Sequence, residues 1–362
     1  MIVRIQAHAR STVGGVVPTV QECTHHGPPH DTHRPHDVNH DTPYADLGPD
    51  EVLNAIDALG PRCDGRLLQL NSFENRVFQV GLEDGGQCVA KFYRPGRWSD
   101  AAILEEHAFT LELAEREIPA VPPMAVEGRT LHHVAGHRFA LFPRQGGRAP
   151  ELEREDALEW LGRYLGRIHA VGAVRPYEVR PTLDVLTFGV DSRDRILAGD
   201  WLAKELRTPW ASVVEQALDG VRAAYARAGD VRMLRLHGDC HVGNVLWTED
   251  GPHFVDFDDS RTGPAVQDLW MLLSGSGDAM RRQFGALLRG YEMFCEFDDR
   301  ERHLVEALRT LRLLHYSAWI ARRWHDPAFP AAFPWFGTAG YWQERIVELR
   351  EQVTLMREPP PI

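Results

Sequence analysis

Three side chains with oxygen donors recur at fixed offsets within one short stretch: Asp239, then Asn244 five residues on, then Asp256 twelve residues further. They lie in Leu236-His237-Gly238-Asp239-Cys240-His241-Val242-Gly243-Asn244-Val245-Leu246-Trp247 and in Phe254-Val255-Asp256-Phe257-Asp258. Each stands at the end of a short apolar run, where a strand backbone can aim a side chain rigidly. One carboxylate of such a set can accept or orient an attacking hydroxyl. The second carboxylate and the amide oxygen can hold Mg²⁺, a hard cation that prefers oxygen ligands and offsets charge on the phosphates of ATP. Taken singly, Asp, Asn and Gly are ordinary turn residues, so the chemistry is carried by the combination. His237 and His241 have the spacing of a zinc pair, but that pairing needs a helix, and Gly238 and Gly243 disfavour one here.

The elements around this stretch place it. Pro49 suits a first helical turn and Gly60 a stop, with Val52, Ile56 and Leu59 on one face. Strand-like runs follow at Arg66–Leu70 and Arg76–Leu82, joined by Asn71-Ser72-Phe73-Glu74-Asn75. Asp84-Gly85-Gly86 turns the chain into Cys88–Tyr93. A helix is expected over Ser99–Arg116, and a hairpin over Leu131–Phe142 turning at Ala135-Gly136. Beyond Gly146-Gly147 helical periodicity dominates. Helices are expected over Glu151–Ala170, Trp210–Ala228, Ala265–Leu273, Met280–Phe297, Glu301–Trp324 and Tyr341–Met356. Short strands at Met233–Leu236, Asn244–Trp247 and His253–Asp256 carry the polar motif among them. A β-rich part followed by an α-rich part is an α+β pattern.

Lys91 lies on the apolar run Val89-Ala90-Lys91-Phe92, the place from which a kinase lysine reaches the α- and β-phosphates. By itself an outward lysine on an alternating strand is equally good; the downstream Asp239 motif favours function. The Asp-to-Asn offset, followed by a metal-binding Asp after a strand hairpin, is also that of the protein-kinase catalytic loop.

The bulk properties narrow the classes further. The chain has 362 residues, favouring two lobes, and a formal net charge of −12, which argues against nucleic-acid and anionic-membrane partners. No apolar run has the length of a membrane span, and Met1–Val20 lacks the apolar core of a secretory signal. Five scattered cysteines without a CxxC pair read as a reduced, cytoplasmic protein. Cys240, next to Asp239, is expected as a small buried hydrophobe; an exposed thiol there would be redox-sensitive. Residues 1–42 form a His- and Pro-rich extension (His25, His26, His30, His33, His36, His40) without helical or strand period, expected to be disordered rather than a metal site.

His-Gly-Asp-x-His-x-x-Asn followed by Val-Asp-Phe-Asp resembles the aminoglycoside phosphotransferase and choline kinase superfamily. More closely, the chain resembles the stress response kinase A family of bacterial cytoplasmic Ser/Thr protein kinases. Supporting stretches are Ser72–Val77, Lys91–Trp98, Leu104–His107, Gly162–His169, Gly263–Met271 and Phe329–Trp335, and the resemblance runs from about Thr42 to Pro360.

It implies a protein-kinase-like two-lobed fold: a small β-rich N-lobe over 43–143 that binds ATP, and a larger α-helical C-lobe over 144–362. It implies Asp239 as catalytic base, Asn244 and Asp256 as Mg²⁺ ligands with Asp256 also catalytic, and Ser72 beside ATP. Lys91 is expected to pair with Glu106, thirteen residues before the Ile118-Pro119 exit, with Glu105 as fallback because adjacent helical residues point about 100° apart. Asp268 is implied to support the catalytic loop through backbone hydrogen bonds. Asp258 and Asp259 could touch a second metal or face solvent, and an unpaired Asp ordinarily faces solvent.

The loop 71–75 lacks the glycines of a kinase Gly-rich loop, a trait the family shares, so a stiffer lid is expected with Ser72 and backbone amides as phosphate donors. Leu141-Phe142-Pro143-Arg144 is the expected hinge. Arg144, Arg148 and Arg322-Arg323-Trp324 either line the substrate side or cover apolar surface with their stems. The aromatic segment Phe329–Trp342 is expected to pack as a cap first. The partners implied are ATP and a protein Ser/Thr acceptor, with the chain a monomer. A small-molecule alcohol kinase (aminoglycoside, choline, homoserine or sugar) is the rival of the same fold. A non-catalytic pseudokinase is the rival of another class, and the retained base, Lys and metal ligands argue against it.

Overall fold

The computed structural model describes residues 43–362; the extension expected over 1–42 lies outside the described residues. The architecture is α+β with two lobes. In the first, helix α1 (Pro49–Asp57) starts with Pro49 at its first position, and the Glu51 carboxylate accepts the Gly48 N–H at 3.0 Å. Strands β1 (Cys63–Leu70), β2 (Arg76–Leu82), β3 (Gln87–Phe92), β4 (His132–Val134) and β5 (His137–Pro143) form one antiparallel sheet in the order β1-β2-β3-β5-β4. Val52, Ala55 and Ile56 of α1 bury against Phe78, Val80, Ala90, Phe92 and Leu141 of the sheet. Each large apolar side chain so buried contributes about 1.5–3 kcal/mol. Helix α2 (Asp100–Glu115) is capped by Ser99, whose hydroxyl accepts the Ala102 N–H.

The second lobe is mostly helical: α3 (Glu155–Gly172), α4 (Asp191–Ala198), α5 (Lys204–Ala228), α6 (Val266–Trp270), α7 (Gly277–Tyr291), α8 (Val305–Arg322), α9 (Ala328–Ala332) and α10 (Ala339–Leu355). Helices α3 and α7 cross so closely that a Cβ on Gly162 would lie 1.9 Å from the Leu287 carbonyl oxygen, so only glycine fits. Two small ribbons complete the lobe, β6 (Met233–Arg235) with β9 (Thr262–Pro264), and β7 (Val245–Thr248) with β8 (Gly251–Phe254).

Some elements differ from the sequence reading. Helix α5 begins at Lys204, ahead of Pro209, because Trp210, Val213 and Val214 bury its face firmly enough to outweigh the lost backbone bond. Helix α4 gives few apolar residues to the core, chiefly Ile196, so its polar sequence carried no signal. Strand β9 has three residues, including Gly and Pro, and is held by pairing with β6 on one side and by a bridge from Thr262 to Thr182 on the other. The aromatic segment does pack as a cap: Phe329, Phe333, Phe336, Tyr341 and Trp342 are all buried in the C-lobe core. Among the described residues, no helix is long and apolar enough to cross a membrane.

Candidate active site

The loop leaving β6 is held by a buried polar column. Asp268, on α6 and fully buried, accepts the His237 N–H at 2.8 Å and the Gly238 N–H at 2.9 Å. His169 donates from Nε2 to the same carboxylate at 3.0 Å, and its Nδ1 accepts the Tyr291 hydroxyl at 3.0 Å. These partners fix the imidazole tautomer. Gly238 has φ +86, and a Cβ there would lie 2.2 Å from the Asp259 carbonyl oxygen. Buried His237 donates from Nε2 to the Val255 carbonyl at 2.9 Å, tying the loop to the segment that carries Asp256. A zinc pair of His237 with His241 is thereby displaced by structural bonds. Cys240 is fully buried, and burial pushes its thiol well above the usual range.

Asp239 reaches the open side of this loop. Arg312 of α8 stands 2.7 Å from its Oδ1, and His241 Nε2 stands 3.4 Å from its Oδ2. His241 Nδ1 accepts the Gly243 N–H, so Nε2 carries the proton toward Asp239. Burial pushes the Asp239 carboxyl up, but Arg312 and His241 outweigh it and hold the group well below the usual carboxylate range. Asn244 donates its side-chain N–H to the Asp239 carbonyl at 3.0 Å, which turns its Oδ1 free of protein partners among the described residues. The Val255 N–H bonds to the Asn244 carbonyl and brings Asp256 alongside. Asp256 is left-handed (φ 60, ψ 63), with its carboxylate 54% exposed. Such a conformation costs about 1–3 kcal/mol and persists where neighbouring structure overdetermines it.

Behind Asp256 lies a buried ionic layer. Lys91 Nζ is 2.8 Å from Asp256 Oδ1 and 3.6 Å from Asp258 Oδ1. Burial alone would lower the Lys91 pKa, yet Asp256, Asp258 and Glu106 together raise it well above the usual value, so the ammonium persists. The expected direct pair of Lys91 with Glu106 is absent from this arrangement. Buried Glu106 instead meets Arg180 at 3.1 Å, while Glu105 turns away and accepts backbone N–H groups of Glu178, Val179 and Arg180. Burial, against the pull of Lys91 and Arg180, pushes the Glu106 carboxyl up to about 7.

The expectation that Asp258 faces solvent is overturned, whereas Asp259, though ion-paired, keeps its side chain 36% exposed. Asp258 is 3% exposed and paired with Arg97 and the Asn75 amide, and Asp259 pairs with Arg97 at 2.8 Å and Arg261 at 2.7 Å. Arg180 also donates to the Asp258 and Ser260 carbonyls and to Ala102. It joins α2 to the loop that follows Asp256, a role no sequence signal announced. Arg97 had a faint signal, standing within the Lys91–Trp98 stretch.

The loop 71–75 is docked on the C-lobe. Glu74 accepts from Arg323 Nη2 at 2.7 Å and from Trp319 Nε1 at 2.6 Å, with Arg94 at 3.4 Å. Phe73 packs on Phe333, ring centres 5.1 Å apart, and Arg94 meets Asp326 at 2.7 Å. Ser72 accepts the Asn75 N–H at 3.3 Å, which leaves its own hydroxyl proton available for another acceptor. Arg323 thus belongs to the cleft, whereas Trp324 packs against Trp201 and Phe336, and Arg148 is exposed beside Glu151.

Among the described residues, no group of three or more His, Cys, Asp and Glu side chains is clustered to hold a metal. The oxygen set of Asn244 and Asp256 suits Mg²⁺, which usually takes one or two carboxylates plus waters and substrate phosphates.

Comparison with known proteins agrees with this geometry. Residues 66–305 match the family model described as "Phosphotransferase enzyme family". The chain is 44% identical over 314 residues to stress response kinase A of Escherichia coli K12, covering 87% of this chain and 95% of that protein. It is 43% identical over the same length to "Serine/threonine protein kinase RdoA" of Salmonella typhimurium LT2. Among solved structures, an amicoumacin kinase matches with TM-score 0.65 at 17% identity, covering 86% of this chain and 94% of that one. A microcompartment-associated aminopropanol kinase matches with TM-score 0.61 at 19% identity, covering 84% and 96%. At these identities the two structures speak for the fold alone.

Proposed function

From the premise that this chain belongs to the phosphotransferase enzyme family, and to the stress response kinase A group within it, we propose that it transfers the γ-phosphoryl group of MgATP to Ser or Thr hydroxyls of a protein. That it is a kinase follows from the family. The choice of a protein acceptor draws on the name of the Salmonella relative. The observation that supports the mechanism is a partly exposed Asp239 held by Arg312, with Asn244 on its carbonyl, Asp256 alongside and Lys91 on Asp256.

In this reading Asp239 orients the acceptor hydroxyl. The hydroxyl oxygen forms the new P–O bond as the bond from the γ-phosphorus to the β-bridging oxygen breaks and ADP departs, and Asp239 takes the hydroxyl proton late. Lys91 steadies the α- and β-phosphates. Asn244 and Asp256 would hold Mg²⁺, which when bound offsets charge on the transferring group. The Ser72 hydroxyl and nearby amides donate to phosphate oxygens. Glu106 serves through Arg180, keeping α2 attached to the loop beyond Asp256. Because the transition state is loose, catalysis is mostly positioning and electrostatic stabilisation.

The test is Mg-[γ-³²P]ATP turnover by wild type and Asp239→Ala, with no acceptor, with a generic protein, and with a panel of aminoglycosides and amino alcohols. Label on protein Ser or Thr, lost in Asp239→Ala, is expected. Label on small molecules alone would overturn the protein acceptor while keeping the mechanism. ATP binding without labelled product on any acceptor would favour the non-catalytic reading.

A further inference from the structure

One face of α8 meets both the loop 71–75 and Asp239. Arg312, Tyr316, Trp319 and Arg323 fall at helical spacing, and the rings of Tyr316 and Trp319 stack 5.9 Å apart. Arg323 and Trp319 hold Glu74 of the loop 71–75, while Arg312, at the other end of the row, holds Asp239. The side chains of Arg312 and Asp239 are 36% and 22% exposed, so an incoming molecule can reach both. Among the described residues, Asp239 is the only carboxylate within ion-pair distance of Arg312.

This has a chemical consequence. Asp239 Oδ1 lies in ion-pair contact with Arg312, and Oδ2 stands 3.4 Å from His241 Nε2. An acceptor hydroxyl that bonds to Asp239 competes with the Arg312 contact and weakens the counter-charge on the guanidinium. An acceptor carrying its own carboxylate close to the hydroxyl restores it, and the planar guanidinium fork matches carboxylate geometry. An acceptor carrying an ammonium group there meets a like charge instead. The chain's net charge of −12 gives no long-range attraction for acidic molecules, so any such selection is local to this arginine.

We propose that Arg312 is a specificity-determining residue that selects acceptors bearing an anionic group beside the hydroxyl, and disfavours cationic amino alcohols and aminoglycosides. In the protein-kinase reading, on which this form rests, the acceptor is a Ser or Thr flanked by Asp or Glu.

The experiment compares two Ser peptides that differ only in flanking residues, Asp/Glu or Lys, as acceptors for wild type, Arg312→Gln, Arg312→Lys and Arg312→Glu. Wild type is expected to favour the acidic peptide by about tenfold or more in kcat/KM, chiefly through KM. Arg312→Gln loses the preference, Arg312→Lys keeps part of it, and Arg312→Glu inverts it. A merely structural arginine would lower both peptides together and leave the ratio fixed. An unchanged ratio in Arg312→Gln and Arg312→Glu, or no preference in wild type, overturns the proposal. If neither peptide is phosphorylated, binding of the matching Ala peptides to the Mg-ADP enzyme, followed by tryptophan fluorescence, decides the point. An acidic preference there, lost in Arg312→Gln, upholds the role of Arg312 while the protein-acceptor reading falls; equal binding overturns both.

Discussion

The carboxylates behind Lys91 and the carboxylate of Asp239 share one cleft but are held in opposite ways. Asp258 is sealed beneath Lys91, Arg97 and Asn75, its side chain 5% exposed. Asp239 is 22% exposed and shares its main ion pair with an arginine that is itself 36% exposed. Charges taken fully out of water are stable only while every partner stays in place, and removing one leaves an uncompensated charge. A pair in contact with solvent can exchange partners at little cost. The sealed cluster therefore fixes geometry, and the open pair is left free to meet a substrate.

The largest expected effect lies in the sealed cluster. Asp258→Asn strips Lys91 and Arg97 of a shared partner and is expected to cost about 3–5 kcal/mol of stability, read by chemical denaturation. A loss under 1 kcal/mol would mean that water reaches the layer and the contrast with Asp239 is weaker than drawn. Glu74→Ala comes next. It frees Arg323 and Trp319 and should cost about 1.5–3 kcal/mol of the docking of loop 71–75 on the C-lobe. Faster amide exchange confined to that loop is the expected signature, and unchanged exchange would show that Phe73 on Phe333 suffices.

A third effect, read as a pH dependence, concerns Glu106. Its folded pKa is raised to about 7 by burial, against the pull of Lys91 and Arg180. A raised carboxyl contributes stability that is full below its unfolded value near 4.5 and disappears as pH rises through 7. Glu106→Gln, which has no proton to lose, should therefore gain stability relative to wild type between pH 5 and pH 8. A melting-temperature difference that stays constant over that range would place the Glu106 titration elsewhere.

What could be read from the sequence follows from how each part is encoded. The polar loop is contiguous, so the spacing of Asp239, Asn244 and Asp256 could be read directly, and the fold brings Asn244 onto the Asp239 carbonyl and Asp256 alongside. The sheet of the N-lobe was legible from alternating apolar runs and from the turns at Gly85 and Gly136. The ionic partners were not. Arg97 meets Asp258 across 161 residues, Arg180 meets the Asp258 backbone across 78, and Arg323 meets Glu74 across 249. A single arginine on a helix or loop looks the same whether it covers surface or neutralises a buried acid. Without those partners, Asp258 and Asp259 read as solvent-facing. Lys91 and Glu106 were expected to pair by family spacing; the chain supplies Arg180 to Glu106 and Asp256 to Lys91 instead.

The most direct measurement is stability and turnover on the same preparation of Asp239→Asn, beside Asp258→Asn. The depressed carboxyl of Asp239 contributes stability, but because its ion pair with Arg312 is partly open to solvent, Asp239→Asn should lose less than Asp258→Asn. On the proposed role of its carboxylate in orienting the hydroxyl and taking its proton, phosphoryl transfer should fall by about 10²–10⁴. Retained turnover, or a stability loss equal to that of Asp258→Asn, would contradict the division between a cluster that holds and a carboxylate that reacts.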